Sequence, residues 1–264
     1  MRPEHAIARV RRAADRSPVG LAFAVGGRFL VTCAHVVNAA LGRPLREASP
    51  PEQSELQLVF PFGDGLKGHQ PLRSASVAVW LPSDPDRFDL EDVALLELHE
   101  DLPRGVPVLR PATDIRHAAV QMVGPVPKRA HHVHVNGELM GAVDRSRFHI
   151  DERLSGVFRV VQGFSGGPVW YQESGKVVGM LQAASVDDRA TDVYIIGRDT
   201  IREVYSAFGP RKAVEIDGVA LGSTVLFGVA GALAAVSKVG WSWMALAAGL
   251  AVAGVVYAVG RLVR

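Results

Sequence analysis

The chain of 264 residues has little cysteine, little net charge and no apolar segment near its N-terminus. Cys33 is its only cysteine, which excludes an intramolecular disulfide and favours a reducing compartment. The first residues lead into several arginines instead of an apolar core, so we expect no secretory signal peptide. The formal net charge of +2, without a long basic run, gives no indication of nucleic-acid binding.

Glycine and proline are plentiful, with 27 and 16 residues, and they separate short apolar runs. This punctuation predicts a mainly β domain of about 200 residues, either a barrel or a sandwich, with little helix. A capping residue and helical spacing predict one helix over 199–208. The first segment, 6–12, favours a strand, with a helix as the competing interpretation. The predicted strands are 6–12, 21–25, 29–33, 56–60, 76–81, 106–109, 119–123, 132–135, 156–161, 176–182 and 192–196, and another follows Asp92.

Ser165 lies between glycines in the run GFSGGP, residues 163–168. Glycine lets the backbone make a tight turn, approach a substrate closely and direct N–H groups at a developing oxyanion. The same pattern also occurs in ordinary loops, so the run needs supporting context before it indicates a nucleophile.

Two other segments supply that context. His35 follows the apolar run 29–33, which predicts a buried strand with the imidazole at its end. Asp92 opens the next apolar run, and a carboxylate there can orient an imidazole that takes a proton from a serine hydroxyl. Asp89 and Glu91 are the competing carboxylates. Asp92 is favoured because it abuts the apolar run, whereas Glu91 would face the opposite side of an extended strand.

The order histidine, aspartate, serine and the runs TCAH, DVALL and GFSGGP resemble the trypsin-like serine peptidases of the chymotrypsin fold. The resemblance covers roughly residues 6–208. The runs TCAHVV and GGPVW are most similar to those of intracellular trypsin-like peptidase domains of actinobacteria. It implies Ser165 as nucleophile, His35 as general base and Asp92 as the carboxylate that orients the imidazole. The amides of Gly163 and Ser165 would form the oxyanion hole. It also implies two six-stranded antiparallel β-barrels, a short C-terminal helix and no cofactor.

Under this resemblance a few positions decide regulation and specificity. Phe164 stands where secreted members carry an aspartate that pairs with a freed N-terminus, so we expect control by a partner, by assembly or by substrate delivery. Arg159 falls at the base of the specificity pocket. Gln182, Ala183 and Ala184 would form the pocket wall. An arginine there suits an acidic side chain before the scissile bond, and the alternative is that Arg159 faces solvent or another carboxylate.

A histidine-rich run, HHVH, invites a metal interpretation. His132 and His134 would share one face of a strand, next to His131. A metal site needs three or four converging ligands, and no further ligand set accompanies these residues. The run therefore favours an exposed polar strand edge, and we expect no metal.

The tail differs from the rest of the chain. A linker, 209–217, leads to two uncharged apolar stretches, 218–236 and 241–260, each about 20 residues long, which suits a ~30 Å hydrocarbon core. Basic residues flank both outer ends, which predicts a two-helix transmembrane hairpin with the peptidase domain, 1–208, on the cytoplasmic side of the cell membrane. A pair of buried helices in a soluble protein is the alternative.

These observations together predict a membrane-anchored serine endopeptidase that acts on protein or peptide substrates. The resemblance adds a setting in signalling or defence systems and control by a regulatory protein partner. Two other functions are compatible with the sequence. One is a membrane scaffold that binds peptides without cleaving them, and the other is a membrane-perturbing effector with the peptidase domain as its trigger.

Overall fold

The computed structural model describes most of the chain up to residue 208. The described residues are 2–52, 55–62, 71–82, 92–125, 132–143, 147–151, 160–161, 163–184 and 192–208. Within them the chain forms a 3-10 helix, twelve strands and two α-helices. The elements are the 3-10 helix Pro3–Ala6, β1 Ile7–Arg11, β2 Pro18–Gly26, β3 Phe29–Thr32, α1 Ala34–Ala40, β4 Leu56–Val59, β5 Arg73–Leu81, β6 Val93–Leu98, β7 Ala118–Pro125, β8 His132–Ala142, β9 Arg147–Asp151, β10 Pro168–Tyr171, β11 Val177–Ala184, β12 Asp192–Gly197 and α2 Arg198–Phe208.

The twelve strands form two closed antiparallel barrels of six strands each, which confirms the predicted fold. The first barrel has the strand order β1-β2-β3-β6-β5-β4, and the second has the order β10-β11-β12-β9-β8-β7. Each barrel closes by pairing its first strand with its fourth, β1 with β4 and β7 with β10. Closure satisfies the backbone groups that the edges of an open sheet would expose.

Each barrel has its own apolar core, because successive side chains along a strand point to opposite faces of the sheet. β8 shows the alternation plainly: Val133, Val135 and Leu139 are buried, whereas His134 and Asn136 are exposed. The sequence pattern of β8 therefore decides which face lines the second barrel.

A smaller apolar cluster joins the two barrels. It combines Ile7 and Leu21 of the first barrel with Val123 and Trp170 of the second. Burying these side chains together holds the first barrel against the second, at the place where β2 passes the end of β10.

One predicted strand is wrong. Residues 106–109 form no strand, because the Val106 amide donates to the Pro103 carbonyl at 3.1 Å in a turn. The Leu109 amide donates at 3.1 Å to the carbonyl of Ala24 in β2. Pro107 lies in the middle of the segment and has no N–H for a ladder. The segment instead connects one barrel to the other.

Four described elements were not predicted, and the first of them is the four-residue 3-10 helix Pro3–Ala6. β9 has one fully buried side chain, Ile150, so it lacks the apolar alternation of a typical strand. β10 begins at a proline directly after the glycine-rich run, and α1 has seven residues, which is too short for a clear helical period. The predicted strand 156–161 lies mostly outside the described residues, and its last two residues are not in a strand.

α2 confirms the helix predicted over 199–208. Its Tyr205 packs edge-on against Phe29 of the first barrel, with ring centroids 6.2 Å apart. The linker and the two apolar stretches of the tail lie outside the described residues. Of the helices that the structure does describe, none combines the length and the apolar character needed to cross a membrane.

Candidate active site

The ends of two neighbouring strands bring His35 and Asp92 together. β3 pairs antiparallel with β6, with Thr32 opposite Ala94. The same register continues past the strands, because the Ala34 amide donates to the Asp92 carbonyl at 3.1 Å. Asp92 therefore lies just before β6, directly beside the first turn of α1, where the chain places His35.

Asp92 holds His35 by two hydrogen bonds. The His35 Nδ1 lies 2.7 Å from Asp92 Oδ2, and the His35 backbone amide donates to Asp92 Oδ1 at 2.9 Å. Asp92 is 3% exposed, whereas the side chain of His35 is 25% exposed. An ionised carboxylate can only accept, so this bond places the ring hydrogen on Nδ1 and leaves Nε2 able to take a proton.

Asp92 also has an unusual backbone conformation. Its φ is +31°, a region that residues other than glycine rarely adopt. Backbone strain of this kind persists where surrounding contacts fix it, and it clusters at functional sites. At Asp92 those contacts are the bonds to Ala34 and His35.

The run around Ser165 forms a tight turn that needs glycine at two positions. Gly163 has φ +102° and Gly166 has φ +82°, both in the left-handed region. At Gly166 a Cβ would lie 2.0 Å from the Leu21 carbonyl oxygen and 2.5 Å from Thr32 Oγ1, so a side chain does not fit. Ser165, between them, is partly exposed.

The backbone amides of this turn divide into two sets. Those of Phe164, Gly166 and Gly167 donate to the carbonyls of Val161, Leu181 and Phe164, at 3.2, 2.8 and 3.0 Å. Within the described parts of the chain, the amides of Gly163 and Ser165 make no hydrogen bond. These are the two amides that the sequence assigned to an oxyanion hole.

The serine turn is also attached to the first barrel. The Leu21 amide donates to the Ser165 carbonyl at 2.8 Å. A Cβ at Gly20 would lie 2.6 Å from Val36 and 3.0 Å from the same Ser165 carbonyl oxygen. The helix that carries His35 and the turn that carries Ser165 therefore pack against one point on β2.

Phe164 anchors the turn in the second barrel. It is fully buried in the core cluster of that barrel. Its ring lies so close to Gly124 that a Cβ there would meet it at 2.3 Å. Phe164 is thus an apolar anchor of the serine turn.

Cys33 lies behind His35 and is buried. Its Sγ donates to the Leu181 carbonyl at 3.3 Å. Burial raises the pKa of the Cys33 thiol well above its usual value, the Asp92 carboxylate raises it further, and the Gly166 amide opposes both effects. The ligand atoms of Cys33, His35 and Asp92 lie within 4.8 Å of one another, but a protonated thiol is a poor metal ligand.

The residues assigned to the specificity pocket are described in part. Gln182, Ala183 and Ala184 form the end of β11, directly after Leu181, whose carbonyl accepts from the serine turn. Gln182 is half-buried and falls where the pairing with β12 is irregular. Arg159 and the competing carboxylates at 89 and 91 lie outside the described residues.

The histidine-rich run meets the first barrel. The guanidinium of Arg9 donates from Nε to His132 Nε2 at 2.8 Å. The ring of His132 also packs against Phe62, with centroids 4.8 Å apart, so His132 is a contact between barrels. His134 is exposed, and His131 lies outside the described residues.

Sequence reasoning missed the residues that hold the two halves of the site together. Leu21 and Leu181 act through their backbone amides and carbonyls, so the residue type at these positions does not indicate the role. Thr32 donates from Oγ1 to the Leu21 carbonyl at 2.6 Å, and it was visible only as part of the run TCAH.

Comparisons with known proteins agree with the fold. The model of the trypsin-like peptidase domain family matches residues 20–180. The active form of the Rv3671c protease of M. tuberculosis has a TM-score of 0.55 and 19% identity, over 78% of this chain and 82% of that chain. Its inactive form has a TM-score of 0.52 and 19% identity, over 79% and 91%.

A serine endoprotease from Yersinia pestis has a TM-score of 0.55 and 15% identity, over 78% of this chain and 63% of that chain. At these identities the structural likeness concerns the fold. No curated protein is significantly similar to the chain in sequence. The family match spans more than half of the chain and includes the segments of His35, Asp92 and Ser165. The chain therefore belongs to the trypsin-like peptidase domain family and is a serine endopeptidase.

Proposed function

We propose that the chain cleaves peptide bonds with Ser165 as nucleophile, His35 as general base and Asp92 as the carboxylate that orients the imidazole. The observation that carries this proposal is the pair of hydrogen bonds that buried Asp92 accepts from His35, at 2.7 Å from Nδ1 and 2.9 Å from the backbone amide. It fixes the ring so that Nε2 faces away from the carboxylate and is free to accept a proton.

In the proposed reaction, His35 Nε2 takes the proton from Ser165 Oγ while the oxygen attacks the substrate carbonyl carbon. His35 then gives that proton to the leaving amine, and the peptide C–N bond breaks to leave an acyl-enzyme. Water, deprotonated by the same nitrogen, hydrolyses the ester and regenerates the serine. The buried Asp92 carboxylate stabilises the imidazolium that forms in each half.

The amides of Gly163 and Ser165 are proposed to stabilise the oxyanion. They point from a turn whose other three amides are all engaged with carbonyls. Engaged neighbours hold the turn rigid, so the two remaining donors need little reorganisation when negative charge develops on the substrate oxygen. Removing one such donor typically costs about 10²–10³ in kcat.

Labelling with a fluorophosphonate probe tests the proposed nucleophile. The full chain should be labelled covalently, Ser165→Ala should not, and Ser174→Ala, which changes an exposed serine of the same barrel, should be labelled like the parent. No labelling of the parent protein would contradict the proposal and favour a scaffold that binds peptides without cleaving them. Labelling that persists in Ser165→Ala would show that a residue other than Ser165 is the nucleophile.

The proposed specificity is for an acidic side chain before the scissile bond. Arg159 supports it by its offset from Ser165, and Gln182 to Ala184 would form the wall of the pocket. A guanidinium can bind a carboxylate through two parallel hydrogen bonds. A peptide-library cleavage profile tests this, with Arg159→Gln as the variant that should lose the preference. A preference of the parent for basic or large apolar residues would contradict it.

The proposed location is the cytoplasmic face of a cell membrane, with 218–236 and 241–260 as a two-helix anchor. Their uncharged length and the flanking basic residues, Arg211 and Lys212 before and Arg261 after, support this topology. The full chain should stay with membranes after an alkaline carbonate wash, whereas a chain ending at 211 should be released. Release of the full chain would contradict the anchor, and dye leakage from liposomes would favour a membrane-perturbing effector.

The proposed setting is a regulated pathway of the signalling or defence type, with a protein substrate. Phe164 supports regulation without zymogen cleavage, because the resemblance aligns it with the activating aspartate of secreted members and its ring is buried instead of charged. New N-termini that appear in cells expressing the parent, and not in cells expressing Ser165→Ala, would identify the substrate. An identical set of N-termini in both would contradict a proteolytic role in that cell.

A further inference from the structure

The β2–β3 ladder ends before Leu21, which lies opposite Arg9 of β1 but has no ladder partner on β3. The register pairs Phe23 with Val31, so continued pairing would place Leu21 opposite Cys33. Cys33 instead leaves the sheet as the residue that precedes α1, with φ −75° and ψ 144°. Leu21 is fully buried, so its amide and carbonyl need other partners.

Two groups, one from each barrel, satisfy the amide and carbonyl of Leu21. The buried Thr32 hydroxyl donates to the Leu21 carbonyl at 2.6 Å. The Leu21 amide donates to the Ser165 carbonyl at 2.8 Å. Leu21 therefore connects the strand that leads into His35 with the turn that carries Ser165.

Cys33 makes a second, parallel connection. Its Sγ donates at 3.3 Å to the Leu181 carbonyl, which also accepts from the Gly166 amide at 2.8 Å. The Leu181 amide in turn donates to the Gly167 carbonyl at 2.8 Å. The thiol thus bonds to Leu181, the residue that also bonds to Gly166 and Gly167 directly after Ser165.

We propose that Thr32 and Cys33 are positioning residues that set the placement of the Ser165 turn relative to His35. They act through Leu21 and Leu181, whose backbone carbonyls accept their hydrogen bonds. We call this arrangement the Thr32–Cys33 bridge. The proposal rests on the catalytic roles of Ser165 and His35 proposed above.

The packing around the bridge explains why a small change would reach the serine. A Cβ on Gly166 would lie 2.0 Å from the Leu21 carbonyl oxygen and 2.5 Å from Thr32 Oγ1, so the three groups are in direct contact. Removing the Thr32 hydroxyl leaves a buried carbonyl without this donor, and the backbone of Leu21 must shift to find another. Because Leu21 holds the Ser165 carbonyl, the shift moves the nucleophile.

The saturating labelling rate and the apparent dissociation constant of a fluorophosphonate probe, measured on the full chain, test the bridge. Thr32→Val keeps the shape and removes the hydroxyl, and we expect the saturating rate to fall about ten-fold with the apparent dissociation constant unchanged. Cys33→Ala should lower the rate about three-fold, since a thiol is a weaker donor. Thr32→Ser and Cys33→Ser keep a donor and should restore the rate to within about two-fold. Thr113→Val, at an exposed threonine, is the matched control.

Hydrogen exchange of the Leu21 amide provides a readout that does not depend on catalysis. It should quicken in Thr32→Val and stay at the parental rate in Thr32→Ser. A parental labelling rate together with parental exchange in Thr32→Val would overturn the bridge and leave the proposed function intact. Failure of the parent to be labelled would overturn the proposed function, and the exchange measurement alone would then decide the bridge. If Thr32→Val does not fold, an unchanged labelling rate in Cys33→Ala overturns the proposal.

Discussion

The two barrels contribute to the site by different means. The first barrel supplies His35 and Asp92, whose side chains bond directly to each other at the ends of adjacent strands. The second barrel supplies Ser165 on a glycine-rich turn whose order comes from backbone hydrogen bonds and close glycine contacts. One half is built from side chains, and the other half from the main chain.

This difference predicts which substitutions each half tolerates. In the first barrel the chemistry of one side chain matters, because Asp92 satisfies two donors of His35 at once. In the second barrel the shape of the backbone matters, because Gly166 must pass within contact distance of Leu21 and Thr32. A substitution that changes the chemistry of a side chain but not its size should damage the first half of the site most. A substitution that adds a side chain should damage the second half most.

The largest effect is expected for Asp92→Asn, which changes chemistry and almost nothing else. An amide offers one acceptor oxygen for the two donors of His35, and its NH₂ would favour the ring hydrogen on Nε2. We expect the turnover number to fall about 10⁴-fold with little change in substrate binding. Asp101→Asn, at an exposed aspartate, should leave it unchanged. A fall of less than about ten-fold would mean that the orienting carboxylate is not Asp92.

Gly166→Ala tests the main-chain half. The substitution combines a φ of +82° with a Cβ 2.0 Å from the Leu21 carbonyl, so we expect a loss of about 3 kcal/mol in the free energy of unfolding. Gly42→Ala is the matched control, because Gly42 has φ +69° and nothing within 4 Å of its Cβ position. It should cost only about 1 kcal/mol. Urea denaturation measures both, and equal losses would show that contact with Leu21 adds nothing.

The sequence predicted the side-chain half of the site more directly than the main-chain half. His35 and Asp92 could each be chosen from a residue type at the end or start of an apolar run, and Ser165 from its place between glycines. Their roles are still predictions, although the structure brings His35 and Asp92 into contact. Leu21 and Leu181 could not be chosen, because any apolar residue at those positions would supply the same amide and carbonyl.

The prediction of the strands and helices likewise succeeded where the local sequence pattern was clear and failed where it was weak. Strands with a clear apolar pattern, such as β3 and β4, were predicted at nearly their observed bounds. β9 and α1 were missed because one has a weak pattern and the other is too short to show a period. The segment 106–109 was predicted as a strand from its apolar content, whereas Pro107 and the hydrogen bond from the Leu109 amide to the Ala24 carbonyl make it a connection. Local pattern therefore predicted most of the strands, the family resemblance supplied their arrangement in two barrels, and neither predicted the contacts between the barrels.

The thiol of Cys33, between the two halves, should make stability depend on alkaline pH. Burial raises the pKa of Cys33, so its proton is held more tightly in the folded than in the unfolded chain. The stabilisation is complete below the pKa of an unfolded thiol, about 8.5, and is lost as pH rises above it. We expect the free energy of unfolding to fall by about 1.4 kcal/mol per pH unit there, beyond the trend of Cys33→Ala. Identical alkaline slopes in both proteins would contradict this.

The smallest effects are expected for exposed ion pairs, one in each barrel. Arg28 contacts Glu97 through two nitrogens, at 2.8 and 2.6 Å, whereas Arg116 reaches Glu173 through one, at 2.9 Å, with both side chains more exposed. Double-mutant cycles with alanine should give coupling free energies of about 0.5 kcal/mol for the first pair and about 0.2 kcal/mol for the second. Both should shrink as salt is added, because exposed charges are screened. A coupling above about 1 kcal/mol for either pair would show that surface side chains, and not only the buried bonds at the cleft, distinguish the two barrels.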